Sequence, residues 1–271
     1  MSLASEISIT KGDKKNPPSM GGATTLTTTT SRKRLALRQL ISRFLQRYTT
    51  AIGNSLHRDR LLKTLQYTLW WYGHLASSKA GNQLSLEICW ARYITRGTEW
   101  PTSWEAVWND SWTPFTDPHN PHSRYSRLGK LLGRILAWSM VAYYPAEHLA
   151  FARWKVSPSS PLQRLAEKYS AWSCRAWLVY ILADIVQASI ALTTQPVKPP
   201  DDDDPATKQA ALARRHKQYV VLTRNLLFLL PAYHWSLPNW DTRPWLKSTT
   251  VNLFMWLEAV VSLYQTTLEV K

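Results

Sequence analysis

Residues 58–76, RDRLLKTLQYTLWWYGHLA, crowd a helical apolar stripe, a basic rim and several large rings into nineteen residues. Wound at about 100° per residue, Leu61, Leu62, Leu65, Leu69, Tyr72, Leu75 and Ala76 fall within an arc of about 140°, the stripe of a helix that lies against something oily. Arg60, Lys63, Gln66 and His74 fall outside it. Two neighbours satisfy the pattern, a membrane surface or the protein's own core. Tyr67, Trp70 and Trp71 lie on the otherwise polar side, where a soluble helix leaves large rings in water and a membrane interface takes them up.

The charge is consistent with an anionic neighbour. Net charge is +15 and the pI is near 9.9, which suits nucleic acid or an anionic bilayer. Fifteen Trp and twelve Tyr against five Phe favour the bilayer, because rings with a polar edge collect where lipid meets water. Nine Gly and sixteen Pro at segment ends describe long helices punctuated by proline, so the expected class is mostly α, with amphipathic and membrane-embedded helices. Cys89 and Cys174 are too few and too far apart for a secreted disulfide framework. No signal peptide or terminal address is visible.

Residues 1–31, with a threonine-rich run and almost no large apolar side chains, are expected to form a disordered tail. From residue 32 to 52, Leu37, Leu40, Ile41, Phe44, Leu45, Tyr48 and Ile52 share a face flanked by Arg38, Arg43 and Arg47. Nine Lys or Arg stand against Asp59 alone between residues 32 and 63, and each adds about 1 kcal/mol of attraction near an anionic leaflet. Leu84, Ile88, Ala91 and Thr95 mark another short helix ending near Gly97. Trp100, Trp104, Trp108 and Trp112 then recur every four residues behind a candidate N-cap, Ser103. His119 and His122 are separated by Pro121 and lack a completing carboxylate or thiol, so no metal is expected.

Gly129 and Gly133 have the spacing that permits close helix packing. The uncharged run 135–144 after them is expected to stop or kink at Pro145. Residues 176–194 and 251–268 are borderline spanning lengths, interrupted only by Asp184 and Glu258 respectively; such acids are costly in hydrocarbon unless shielded or paired. A third apolar run, 226–237, is broken by Pro231, and the acidic loop 196–205, with four consecutive Asp, is expected to be exposed and cytosolic. Glu147 and His148 have no neighbouring nucleophile, and no phosphate loop is present; the expectation is a non-enzymatic protein without cofactors.

Residues 58–67 (RDRLLKTLQY), 95–112 (TRGTEWPTSWEAVWNDSW), 138–151 (WSMVAYYPAEHLAF), 170–184 (SAWSCRAWLVYILAD), 224–240 (RNLLFLLPAYHWSLPNW) and 255–265 (MWLEAVVSLYQ) resemble the peroxisomal biogenesis factor 11 (peroxin 11) family, in its fungal C-type or gamma-like branch. The resemblance implies a helical domain over 32–268 in the peroxisomal membrane that promotes elongation, proliferation and division by inserting amphipathic helices. It implies a membrane-inserting face of Leu61, Leu62, Leu65, Leu69 and Tyr72, with Arg58, Arg60 and Lys63 on lipid head groups. The implied partners are anionic lipids, further copies of the chain, a membrane-anchored fission adaptor and a dynamin-type GTPase. Two other classes compete. A polytopic channel or metabolite-transport protein would use Asp184 and Glu258 to line a polar path. A soluble nucleic-acid binder has no use for the apolar runs of the second half, so no nucleic acid is expected.

Overall fold

A computed structural model describes residues 53–115, 122–156, 160–194 and 205–269, together with Ala36 and Gln39. The chain divides into residues 1–46 and 47–271. Of the first unit only Ala36 and Gln39 are described, both helical and exposed. The expected tail, nearly all of the basic helix 32–52, His119 and the four aspartates lie outside the described residues.

The described part of the second unit is helical: α1 (Ser55–Leu75), α2 (Lys79–Arg96), a 3-10 turn (Gly97–Glu99), α3 (Trp100–Asn109), α4 (Arg124–Val156), α5 (Ser160–Thr194), α6 (Pro205–Ser236) and α7 (Ser248–Glu269). Local chemistry explains several boundaries. The Asn54 side chain accepts from the backbone N–H groups of Leu56 and His57 at 2.9 and 3.2 Å, satisfying two of the orphan donors at the start of α1. Ser78 caps α2 through the Gly81 N–H at 3.2 Å. The two helices then cross closely, because a Cβ on Gly81 would stand 3.1 Å from the Gly73 Cα.

Two expectations about helix ends are corrected, at Ser103 and at Pro231, and of the stop or kink expected at Pro145 the stop is absent. The third helix is capped at Glu99, and Ser103 lies buried inside it, donating to the Glu99 carbonyl at 3.3 Å; Pro101 is tolerated in the first turn, where its missing N–H has no partner to lose. Neither Pro145 nor Pro231 ends its helix: α4 and α6 continue through them for another eleven and five residues.

Helix pairs pack in the order α1–α2, α2–α4, α4–α5, α5–α6, α6–α7 and α7–α1, which closes a ring; α3 lies against α4. The α4–α5 seam packs Leu132 and Leu136 against Ala183, with Ile135, Tyr180 and Ile190 alongside, and both helices bury alanines. Ala137 and Ala150 of α4 and Ala166, Ala171, Ala183, Ala188 and Ala191 of α5 are all buried, so two helices of 33 and 35 residues approach along their length. Tyr67, Ile181, Phe228, Ala232, Val251, Met255 and Ala259 form the main apolar cluster, where α1, α5, α6 and α7 meet.

Candidate functional site: a charged interior enclosed by the ring

Beside the apolar cluster, the inside of the ring holds buried polar and charged side chains. On α1, His57, Arg60, Lys63, Gln66 and Tyr67 recur at three- and four-residue intervals and are all buried. On α7 the same spacing brings Glu258, Ser262, Gln265, Thr266 and Glu269 to face them. Arg60 donates to Glu269 at 2.7 Å and to Thr266 at 3.2 Å, while His57 Nε2 lies 2.9 Å from the same carboxylate. One turn further, Lys63 Nζ lies 2.6 Å from Glu258 Oε2, whose other oxygen accepts from Ser262 at 2.7 Å.

The remaining seams are joined in the same way. Arg92 of α2 reaches both oxygens of Asp59 on α1, at 2.9 and 3.0 Å, and donates to Gln66 at 2.7 Å. Arg96 lies 2.8 Å from Glu147 of α4, whose carboxylate also accepts a short hydrogen bond from Tyr143. Arg224 of α6 donates to Asp184 of α5 at 3.0 Å and to Gln265 of α7 at 3.1 Å, and Asn225 reaches Asp184 at 2.7 Å. Four of the six seams therefore carry an ion pair; the α6–α7 seam carries the hydrogen bond from Arg224 to the neutral Gln265, and among the described residues the α4–α5 seam carries no ion pair. Taking paired charges out of water is tolerated because fixed partners and extra hydrogen bonds replace the lost hydration.

The ring encloses a cavity of about 460 Å³ lined by residues from α1, α2, α4, α5, α6 and α7, among them Lys63, Arg92, Arg96, Glu147, Arg224 and Glu258. Aromatic and apolar walls, including Tyr67, Trp177, Phe228 and Met255, complete it. Both free cysteines, Cys89 and Cys174, border it.

Outside, large apolar side chains are exposed among charged ones such as Lys130, Arg164, Lys168 and Lys217. Leu61, Leu65 and Tyr72 of α1, Leu84 and Ile94 of α2, Leu131 and Trp138 of α4, Val179 and Leu182 of α5, Leu226 and Tyr233 of α6, and Leu257 and Val260 of α7 are all exposed. Trp108 of α3 is 84% exposed. Among the described residues one helix, residues 163–194 of α5, is long and apolar enough to cross a membrane, and 28% of its most apolar window is buried. Buried ion pairs therefore stand inside the ring and large apolar side chains are among those on its outer surface.

Against this geometry the individual site residues fall as follows. Leu61, Leu65 and Tyr72 lie on the outer surface, with Leu62 and Leu69 half-buried at its edge. Arg58 is half-buried. Arg60 and Lys63 correct the expected head-group contacts: both point into the ring and are consumed by Glu269 and Glu258. The reason is angular, since they stand on the face opposite the leucines and that face is turned inward. Asp184 and Glu258 are buried and paired with Arg224 and Lys63. Gly129 and Gly133 do admit a close approach, but to the segment after α3: a Cβ on Gly133 would stand 2.8 Å from the Trp112 carbonyl oxygen and one on Gly129 would strike that of Phe115. Within the tryptophan row, Trp104 packs edge-on against Trp138 at 5.5 Å and Trp112 against Tyr180 at 6.5 Å. No cluster of three or more metal-ligating side chains occurs among the described residues.

Asp59, Arg92, Arg96, Arg224 and Glu269 belong to the interior and were not singled out from the sequence. The signal was present as a polar row at helical spacing, 258-262-265-269 on α7 and 85-92-96 on α2, which reads as a solvated face until a partner is known. No family model, no curated protein and no solved structure matches this chain.

Proposed function

We propose that this chain is a membrane-embedded, non-enzymatic protein of the peroxisomal membrane that reshapes it during elongation and division. The large apolar side chains exposed on the outer surface of the ring carry the reading, together with the six segments that resemble the peroxin 11 family. Helices α1 and α7, of 21 and 22 residues, are about 32 Å long, close to the roughly 30 Å hydrocarbon thickness of a bilayer. The body inserted into lipid is then the whole ring, and α1 is one of its staves. The area such a body adds to one leaflet more than to the other is relieved by curvature. Anionic lipids, further copies of the chain, a fission adaptor and a dynamin-type GTPase are the partners this reading calls for.

The test is tubulation of vesicles containing anionic lipid by the reconstituted full chain. Leu61→Glu combined with Leu65→Glu places two charges on the outer face of α1, where both side chains are exposed, and leaves the interior pairs untouched. Vesicles that bind this variant but stay spherical are the expected result, and normal tubules from it would sink the reading. A second reading, passage of a polar solute, is favoured by one observation, the charged cavity inside the ring. Solute flux in vesicles that remain spherical is its signature.

A further inference from the structure

The interior charges are not presented evenly to the cavity. In the pairs Lys63–Glu258, Arg96–Glu147 and Arg224–Asp184, the cation is more exposed than its carboxylate, at 9, 18 and 15% against 2, 5 and 9%. These cations come from α1, α2 and α6 and all three border the cavity, whereas Asp184 does not. The other two pairs run the opposite way, with Asp59 and Glu269 the more exposed members. Neither offers an open acid to the cavity, because Glu269 does not border it and both Asp59 oxygens are held by Arg92. Glu99 borders the cavity as well, so what favours an anion is the greater exposure of the cation within the three pairs Lys63–Glu258, Arg96–Glu147 and Arg224–Asp184. Trp177, Phe228 and Met255 also line the cavity, walls suited to an apolar body.

We infer that the cavity is a binding site for a small soluble organic anion with an apolar portion, whose carboxylate or phosphate competes with Glu147 for Arg96 and is completed by Lys63 and Arg224. The volume of about 460 Å³ lies within the range of small-molecule sites. This site deepens the solute reading by naming a ligand class and does not depend on membrane bending. Binding is measured apart from flux, so a bound anion without flux leaves a ligand site that is no carrier.

The probe is 1-naphthoate, measured by quenching of tryptophan fluorescence and by equilibrium dialysis on the full chain in phosphatidylcholine nanodiscs, with 1-naphthalenemethanol as its neutral counterpart. A charge-assisted hydrogen bond contributes about 1.5–3 kcal/mol, so naphthoate is expected to bind at least about tenfold more tightly than the alcohol. The two halves of one ion pair give opposite signs. Glu147→Gln frees Arg96 and is expected to tighten naphthoate binding, whereas Arg96→Gln is expected to weaken it about tenfold or more. A purely structural pair predicts loss from both. Should Arg96→Gln fail to fold because Glu147 is left buried and unpaired, the neutral double variant Arg96→Gln/Glu147→Gln retains no stranded charge and must still lose binding. Equal affinity for acid and alcohol, or the same direction of change in Glu147→Gln and the Arg96 variants, overturns the inference.

Discussion

Lys63 shows what a single residue does in this interior. Its stem passes along the ring of Phe228, with the ammonium 5.1 Å from the ring centroid, before ending 2.6 Å from Glu258. Glu258 is among the most completely buried side chains of the chain. Removing the ammonium strands that carboxylate, which costs about 3–5 kcal/mol, while replacing both members with apolar groups leaves no charge behind. Lys63→Met is thus expected to lower the thermal midpoint clearly, and Lys63→Met/Glu258→Met to recover most of the loss; a double variant no more stable than the single would contradict the assignment. Asp110 and Arg134 are the contrasting case at the rim. Hydrogen bonds from Arg134 hold the Asp110 carboxyl below its usual range, so the contribution is present at neutral pH and lost as pH falls through the lowered value. Water screens this exposed pair, and Asp110→Asn should leave the midpoint unchanged within error.

At the scale of elements, the segment after α3 is held against α4 by the absence of side chains. Gly133 meets the Trp112 carbonyl and the Thr113 backbone, and Gly129 meets Phe115. Phe115 in turn stacks on Tyr125 at 4.4 Å. A methyl at Gly133 forces backbone apart, and strain of this kind costs about 1–3 kcal/mol. Gly133→Ala is expected to expose residues 111–115 to protease and to speed their amide exchange, with little change in α6 and α7. Unchanged protection of 111–115 would refute the close contact. The helices themselves were legible in advance: the apolar spacing of 58–76 lies within α1 but for Ala76, which caps it, and residues 84–96 mark the greater part of α2. Pro145 and Pro231 misled because proline punctuates a helix only when nothing outside supplies the missing contacts. Here Pro231 is fully buried among neighbouring helices, and the turn around Pro145 includes the paired Glu147.

For the whole molecule, the large apolar side chains exposed on the outer surface predict behaviour that no single helix has. On the membrane function proposed above, the chain should resist alkaline carbonate extraction from the membranes that hold it and should need detergent or nanodiscs to stay monodisperse. Full release by carbonate would mean that the outer leucines are covered by protein instead of lipid. The candidate site was only partly legible at this scale. Asp184 and Glu258 stood out as acids within apolar runs, because a lone charge in such a run demands a partner. Their partners did not: Lys63 lies 195 positions from Glu258 and Arg224 lies 40 from Asp184. Either cation taken alone reads as part of a basic surface.

By itself the sequence determined that this chain is helical, where several of its helices run and that α1 has two unlike faces, since spacing and capping are local properties. Only the tertiary structure decided which face turns inward. Periodicity is symmetric between a helix that hides its leucines and one that hides its charges. Choosing between them requires carboxylates and guanidinium groups from distant helices to arrive at hydrogen-bonding distance. Once Glu258 and Glu269 stand opposite Lys63 and Arg60, the polar face of α1 is satisfied inside the ring and its leucines face outward.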